Sequence, residues 1–425
     1  MKYLIATSKI LSTVFLILVV AFMSPALQAQ SGISNPRSVA MGGAYMAVAR
    51  GVEAPRWNPA NLVLSGKNVY QLNLISVGLG FHNNSFNKQQ YNLYNGNYLA
   101  PEDKQAILAS IPPQGLRVDF DTEIQALGLS FGSFAFAAAG MAASDFTLSK
   151  DIVDLILNGN ELNRVYNVTA TEGEGWAASS FGISAGFPIT IPAFKQFAIG
   201  ASLSYLRGFG YAKVVEANST MTTEINGIHG SGQVVIDYAR GGSGLSIDFG
   251  AAAILLNEKW TVSFGIRNFL NYLNWNSETK RFIYTFTTDS LTAEQVEESD
   301  FDSVFVDSDE TIQISPFSKS LPPELRIGVA QTTDRITFAV DYVQGLTRAA
   351  GVSTNPKIAL GTEFRFISFL PLRTGFSFGG KNGFCSSAGF SLELSIFSLD
   401  FAISSKGGIF SGRGLGAAFG WMFRL

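Results

Sequence analysis

Arg37-Ser-Val-Ala-Met-Gly-Gly-Ala-Tyr-Met-Ala-Val-Ala-Arg-Gly-Val-Glu-Ala-Pro-Arg-Trp-Asn-Pro-Ala-Asn-Leu-Val-Leu64 is rich in small residues and has no strand alternation. It ends in the turn-forming Trp57-Asn58-Pro59-Ala60. Everything after it reads as amphipathic strands. The expectation is a compact plug with a β-barrel closed around it. Gly42 and Gly43 supply the backbone freedom and close approach that a plug in a packed lumen needs. Asn58 suits a helix N-cap, and Pro59 at the first helical position forfeits no hydrogen bond.

Upstream lies a leader. Lys2 and Lys9 give a positive start, Ile10 to Met23 an apolar core, and Pro25 to Ala29 a small-residue cleavage zone. The apolar run is short for a spanning helix of roughly 20 residues. The expected organisation is therefore a signal peptide over 1–29, a plug over 30–66 and a barrel over 67–425. Removing Lys2 and Lys9 leaves 28 basic against 33 acidic residues, a balance that gives no reason to expect nucleic-acid binding. Only 15% of residues are charged, whereas Gly (43) and Phe (35) are abundant. Glycine lets strands pack closely and phenylalanine suits a pleated apolar face. Cys385 is the single cysteine, so an exported chain gains no intrachain disulfide.

Downstream, Tyr70-Gln-Leu-Asn-Leu74 and Val77-Gly-Leu-Gly-Phe81 alternate, and Ile75-Ser76 shifts the phase between them as a bulge would. Large apolar residues on one face and small or polar ones on the other is the membrane-barrel pattern. A soluble barrel shows the same alternation in the opposite sense, so the export signal and the strand ends decide. Short turns are expected at Gly132-Ser133, Pro188 to Gln196, Asn257-Glu258, Thr333-Asp334, Leu370-Pro371 and Ile396-Phe397. Long connections are expected at 83–118, 149–171, 211–242, 277–323, 345–354, 381–384 and 406–413. Strict alternation of short and long connections marks an outer-membrane barrel, here of about fourteen strands with both ends at the short-turn side. Residues 101–111 and 151–158 read as loop helices. Phe419, Trp421, Phe423 and Leu425 share one face of the last strand, which resembles the C-terminal assembly signal of outer-membrane proteins.

With that frame, Ser38-Val-Ala-Met-Gly-Gly-Ala-Tyr45 followed by Arg56-Trp-Asn-Pro-Ala-Asn-Leu62 resembles the N-terminal hatch of the FadL-like superfamily. That group contains outer-membrane transporters of hydrophobic compounds and PorV-like components of type IX secretion. The resemblance implies an all-β antiparallel barrel with a hatch in its lumen and a hatch motif at Gly42, Gly43, Trp57, Asn58, Pro59 and Ala60. It further implies a lateral gate in the third strand, where Ala138, Ala139 and Gly140 lie in a small-residue run. The implied function is passive passage of fatty-acid-like molecules across the outer membrane of a Gram-negative bacterium. The alternative is a structural or PorV-like secretion-accessory barrel that binds proteins by its external loops. The implied partners are outer-membrane lipid and either a hydrophobic small molecule or a secretion-system protein.

Other chemistry is sparse. Arg37, Arg50 and Arg56 could meet a ligand carboxylate or pair with acids such as Glu53. Gly182-Ile-Ser-Ala-Gly186 matches G-x-S-x-G, but it lies within an alternating strand rather than at the strand-to-helix elbow that exposes a nucleophile. His82 and His229 are the only histidines. Asp300, Asp302, Asp307, Asp309 and Glu310 are oxygen donors without a recognised calcium spacing, and read as a solvated loop. No enzyme, cofactor or metal is expected. A porin is disfavoured, because a hatch would block its aqueous channel.

Overall fold

The computed structural model describes residues 33–64, 70–292, 294–295, 304–348, 352–408 and 412–424. The expected leader, the plug's edge residues 30–32 and 65–66, Asp300, Phe301, Asp302 and Leu425 lie outside them. The chain forms a closed antiparallel barrel of 14 strands. These are β1 (Gln71–Asn83), β2 (Leu116–Phe131), β3 (Phe134–Leu148), β4 (Glu172–Ile189), β5 (Gln196–Glu224), β6 (Gly227–Ile254) and β7 (Trp260–Trp275). They continue as β8 (Glu324–Thr332), β9 (Ile336–Gly345), β10 (Lys357–Phe364), β11 (Leu372–Gly379), β12 (Cys385–Glu393), β13 (Phe397–Lys406) and β14 (Gly414–Arg424). Neighbours in sequence pair throughout, and β1 closes the ring on β14 from Gln71↔Arg424 to His82↔Gly414. Their register shifts between Asn73 and Ile75, where the sequence changes phase.

Alternation sets the two faces. On β1, Leu79 and Phe81 point outward and are exposed, whereas Gly78 and Gly80 lie opposite Ile33 and Asp121 in the lumen. Phe390, Phe401 and Phe419 pack in a row outside across β12, β13 and β14, with ring centroids 5.2 Å apart at each step. Such a continuous apolar exterior is what a bilayer-facing wall requires.

One end carries short connections, the other long ones. Two long connections differ from expectation. Residues 211–242 are not a loop: β5 and β6 run on as one hairpin to Glu224↔Gly227. Residues 277–323 contain the strands Lys280–Leu291, Phe305–Gln313 and Phe317–Lys319. Lys280–Leu291 pairs with β6, Phe305–Gln313 pairs with Lys280–Leu291, and Val165–Asn167 joins the far side of β5. A sheet thus rises beyond the barrel; Lys213–Glu224 alone extends it by roughly 40 Å at the usual strand rise. Strand β10 also stops at Phe364, so the turn expected at Leu370-Pro371 is longer.

Helices in the long connections include α3 (Lys88–Tyr94), α4 (Pro101–Ser110) and α5 (Lys150–Asn158), after α1 (Pro36–Ala40) and α2 (Ala54–Trp57) near the N-terminus. Ser149 caps α5 by accepting the Ile152 N–H, and Gly159 at positive φ ends it. Arg164 clamps α5 to its loop, with its guanidinium 2.5 Å from Asp154 and 3.6 Å from Asp151. On α4 and α5, Ile107 and Val153 are buried, whereas Ile156 is exposed.

Candidate functional site

The lumen is where every unusual residue converges, and residues 33–64 fill it. Each strand gives them a glycine or alanine: Gly78, Gly128, Ala135, Gly186, Gly200, Gly250, Gly265, Gly328, Ala339, Gly361, Gly375, Gly389, Ala402 and Gly420, from β1 to β14 in turn. Gly186, Gly200, Gly250 and Gly265 are mutual register partners and form one row across β4 to β7. A side chain at Gly200 would begin 2.3 Å from the Ala60 nitrogen, and one at Gly375 2.1 Å from the Met41 carbonyl carbon. The wall is therefore shaped to the segment's backbone. Met41, Met46 and Leu62 are buried, and such burial stabilises by about 1.5–3 kcal/mol per side chain.

Local structure follows from caps. Asn35 accepts the Ser38 N–H at 2.9 Å and starts α1, with Pro36 at its first position. Gly42 and Gly43 have φ of +67° and +94°, and a Cβ on Gly42 would meet the Phe376 backbone at 2.8 Å. Asn58 accepts the Ala60 N–H at 3.0 Å, which starts the 3-10 turn Pro59–Val63. Its amide also donates to the Ala251 carbonyl at 2.9 Å and the Phe264 carbonyl at 3.3 Å. Trp57 packs edge-on to Tyr45 at 5.7 Å, with the Arg326 guanidinium 5.2 Å from its ring centroid. Asp341 of β9 accepts the Tyr45 and Met46 N–H groups at 2.8 and 2.7 Å.

The three segment arginines have different surroundings. Arg37 donates to Asp400 at 2.9 Å, Glu393 at 3.2 Å and Ser398 at 3.3 Å. Arg373, Arg365 and Arg424 share the same acids, and Glu363 receives Arg373 at 2.5 Å. This network anchors the segment at the short-turn end and occupies the Arg37 guanidinium. Arg50 donates to the carbonyls of Ala47 and Ala49 at 2.9 and 2.8 Å. Arg56 pairs with Glu123 and borders a cavity of the lumen.

That cavity, of about 60 Å³, lies between Val52, Pro55 and Arg56 of the segment and the wall of β2 to β7. Ser180, Ser184, Ser202, Ser204 and Ser246 line it, together with Asp248 and Arg267. It also touches Met141, Leu206 and Leu321, which belong to an apolar cluster with Trp176, Tyr211, Leu273 and Trp275. Tyr211 lies 5.7 Å from Trp275 and 5.2 Å from Phe317, ring to ring. The result is a gradient from aromatic and aliphatic side chains to hydroxyls and charge at the segment. Sequence reasoning missed this site, because its residues come from six strands, β2 to β7, and gain meaning only from their pairing.

The small-residue run of β3 sits in an intact wall. Pairing with β4 is unbroken from Phe134 to Thr147, with Gly140 opposite Ser179, and pairing with β2 shifts only between Gln125 and Leu127. Ala137, Ala139 and Met141 line the lumen cavity, and nothing lies within 4 Å of a Cβ built on Gly140. Ser184 shares a hydrogen bond with Ser202 at 2.7 Å in mid-strand. His82 lies 3.1 Å from Asp119, and His229 lies 2.8 Å from Asp289.

Residues 59–404 match the model of DUF5723, described as a family of unknown function. No curated protein matches the chain. Among solved structures, the Ralstonia pickettii toluene transporter TbuX aligns at 15% identity over 92% of this chain and 98% of its own, with a TM-score of 0.52. A deltaS2S3 mutant of TodX, a monoaromatic hydrocarbon channel, aligns at 12% identity over 92% and 97%, also with a TM-score of 0.52. At these identities the likeness is one of fold, a closed barrel of 14 antiparallel strands.

Proposed function

The chain belongs to the DUF5723 family, and we propose that it is an outer-membrane barrel that admits hydrophobic small molecules at its long-loop end, with residues 33–64 as the hatch in their path. The observation that carries this reading is the apolar cluster around Trp176, Leu206, Tyr211 and Trp275, set directly over a hydroxyl-lined cavity at the hatch. Apolar pockets with a few placed polar groups are the usual form of small-molecule sites. Short turns then face the periplasm and long connections the exterior, with the leader directing export. Two solved barrels of this fold are named for toluene and monoaromatic hydrocarbons, which supports an apolar substrate class. Of the hatch arginines, Arg56 borders this cavity while paired with Glu123, and it would meet a substrate's polar end. Exit into the bilayer beside Ala138–Gly140 requires β3 and β4 to part.

The test is uptake of labelled toluene and of a labelled long-chain fatty acid by cells that lack other hydrophobic-compound channels. The wild type should exceed the empty control, and Ser204→Phe, which fills the cavity, should lower uptake about tenfold at equal barrel abundance. Uptake at the control level for both probes would overturn the reading.

One observation favours a docking role as a second reading. The sheet beyond the barrel ends in Phe305–Gln313, an exposed strand paired on one side among the described residues, with Asp307, Asp309 and Glu310 along it. Such an edge can receive a partner strand, although acids also guard edges against it. A photo-crosslinker at Ile312 that captures no cell-envelope protein in living cells would count against docking.

A further inference from the structure

A second cavity, of about 80 Å³, lies between the hatch and β10 to β13, across the lumen from the first. Lys357 of β10, Lys381 after β11 and Lys406 of β13 all border it, with Ser38 and Gly43 on the hatch side. Two of these lysines are neutralised. The Lys381 ammonium is 3.0 Å from Asp119 and 3.0 Å from Asp145, and that of Lys406 is 3.2 Å from both Asp121 oxygens. Lys357 has no carboxylate within ion-pair distance among the described residues. Gly43 makes room for it: a Cβ there would stand 2.8 Å from the Lys357 nitrogen. Lys357 is half-buried, and a cation left there without a counter-charge is costly. The cavity has room for about one small oxyanion, given that a water occupies about 30 Å³.

We propose that this cavity binds a small oxyanion, phosphate or carboxylate, with Lys357 as its main counter-charge and serine hydroxyls as hydrogen-bond donors. Lys381 and Lys406 are already held by Asp119, Asp145 and Asp121, so the counter-charge falls on Lys357. The bound anion would join Lys357 on the wall to Ser38 on the hatch, and so tie the two together. This site shares no strand with the apolar gradient, so it stands whether or not hydrophobic molecules pass.

Cys385 borders the same cavity and is the only cysteine in the chain. It reports on the site in the purified full-length barrel. An anionic methanethiosulfonate reagent should modify it about tenfold faster than a cationic one of similar size, the lower range of such charge focusing. Lys357→Gln should bring the two rates together, and Lys357→Arg should keep them apart. Inorganic phosphate or octanoate should slow modification saturably. Protection by phosphate marks a free anion as occupant, and protection by octanoate alone marks the head of an amphiphile; protection by neither overturns the proposal. A second measurement, the thermal midpoint, should rise saturably with the protecting anion in the wild type and not in Lys357→Gln. If the thiol reacts with neither reagent, a flat thermal response to both anions overturns the proposal.

Discussion

Replacing Gly200 or Gly375 by alanine should loosen the hatch and leave the barrel standing. Neither glycine has a positive φ, so the effect is steric. The new Cβ would fall 2.3 Å from the Ala60 nitrogen at one site and 2.1 Å from the Met41 carbonyl carbon at the other. Ordinary contact begins near 3.4 Å, so the hatch backbone must retreat by about 1 Å. Overpacking of this kind costs about 1–3 kcal/mol, or about 5- to 160-fold in the ratio of seated to unseated hatch. The strand ladders are not touched, so the cost falls on the hatch. Trypsin reads it: Arg37, Arg50 and Arg56 are its cleavage sites there, and cleavage tracks the open population when reclosing is fast. Gly140→Ala is the matched control, because its Cβ would meet nothing within 4 Å. If Gly200→Ala and Gly375→Ala were cut in the hatch no faster than Gly140→Ala, the shaping of the wall to this segment would be refuted.

Three further outcomes are expected. In a Cys385→Ser background, the pair Gly140→Cys and Ser179→Cys occupies directly opposed positions of β3 and β4, within disulfide reach; oxidation should abolish uptake if substrate leaves between these strands, and unchanged uptake excludes that exit. Arg37→Met leaves Asp400 and Glu393 short of a buried partner and should cost about 3–5 kcal/mol, seen as a lower urea midpoint. Asn58→Ala removes the cap on Ala60 and the bonds to two wall carbonyls; it should cost at least about 1 kcal/mol and speed amide exchange at Ala60.

Much of the wall was legible because lipid imposes a one-residue alternation. Phe134–Leu148 and Glu324–Thr332 have the ends the sequence predicts. The upper halves of β5 and β6 were not legible for the same reason in reverse. Stretches such as Glu216-Ala-Asn-Ser-Thr-Met-Thr-Thr-Glu224 carry polar or small residues on both faces, so no apolar row separates strand from loop. Within the site, single glycines are visible in the sequence, but the row Gly186–Gly200–Gly250–Gly265 exists only through register. Arg37 shows a charge and no partner, since Asp400 is 363 positions away. The Lys357 cavity is hidden likewise, because its three lysines look like ordinary residues at strand ends until the ring closes.

The glycine girdle also constrains the order of assembly. The hatch precedes every strand in the chain, and the seam between β1 and β14 joins the first strand to the last. With backbone facing backbone at Gly200 and Gly375, there is no slack through which a finished ring could be threaded. A hatch that lies in place when that seam zips acts as a mandrel: the segment that precedes every strand is the form around which the wall sets its girth.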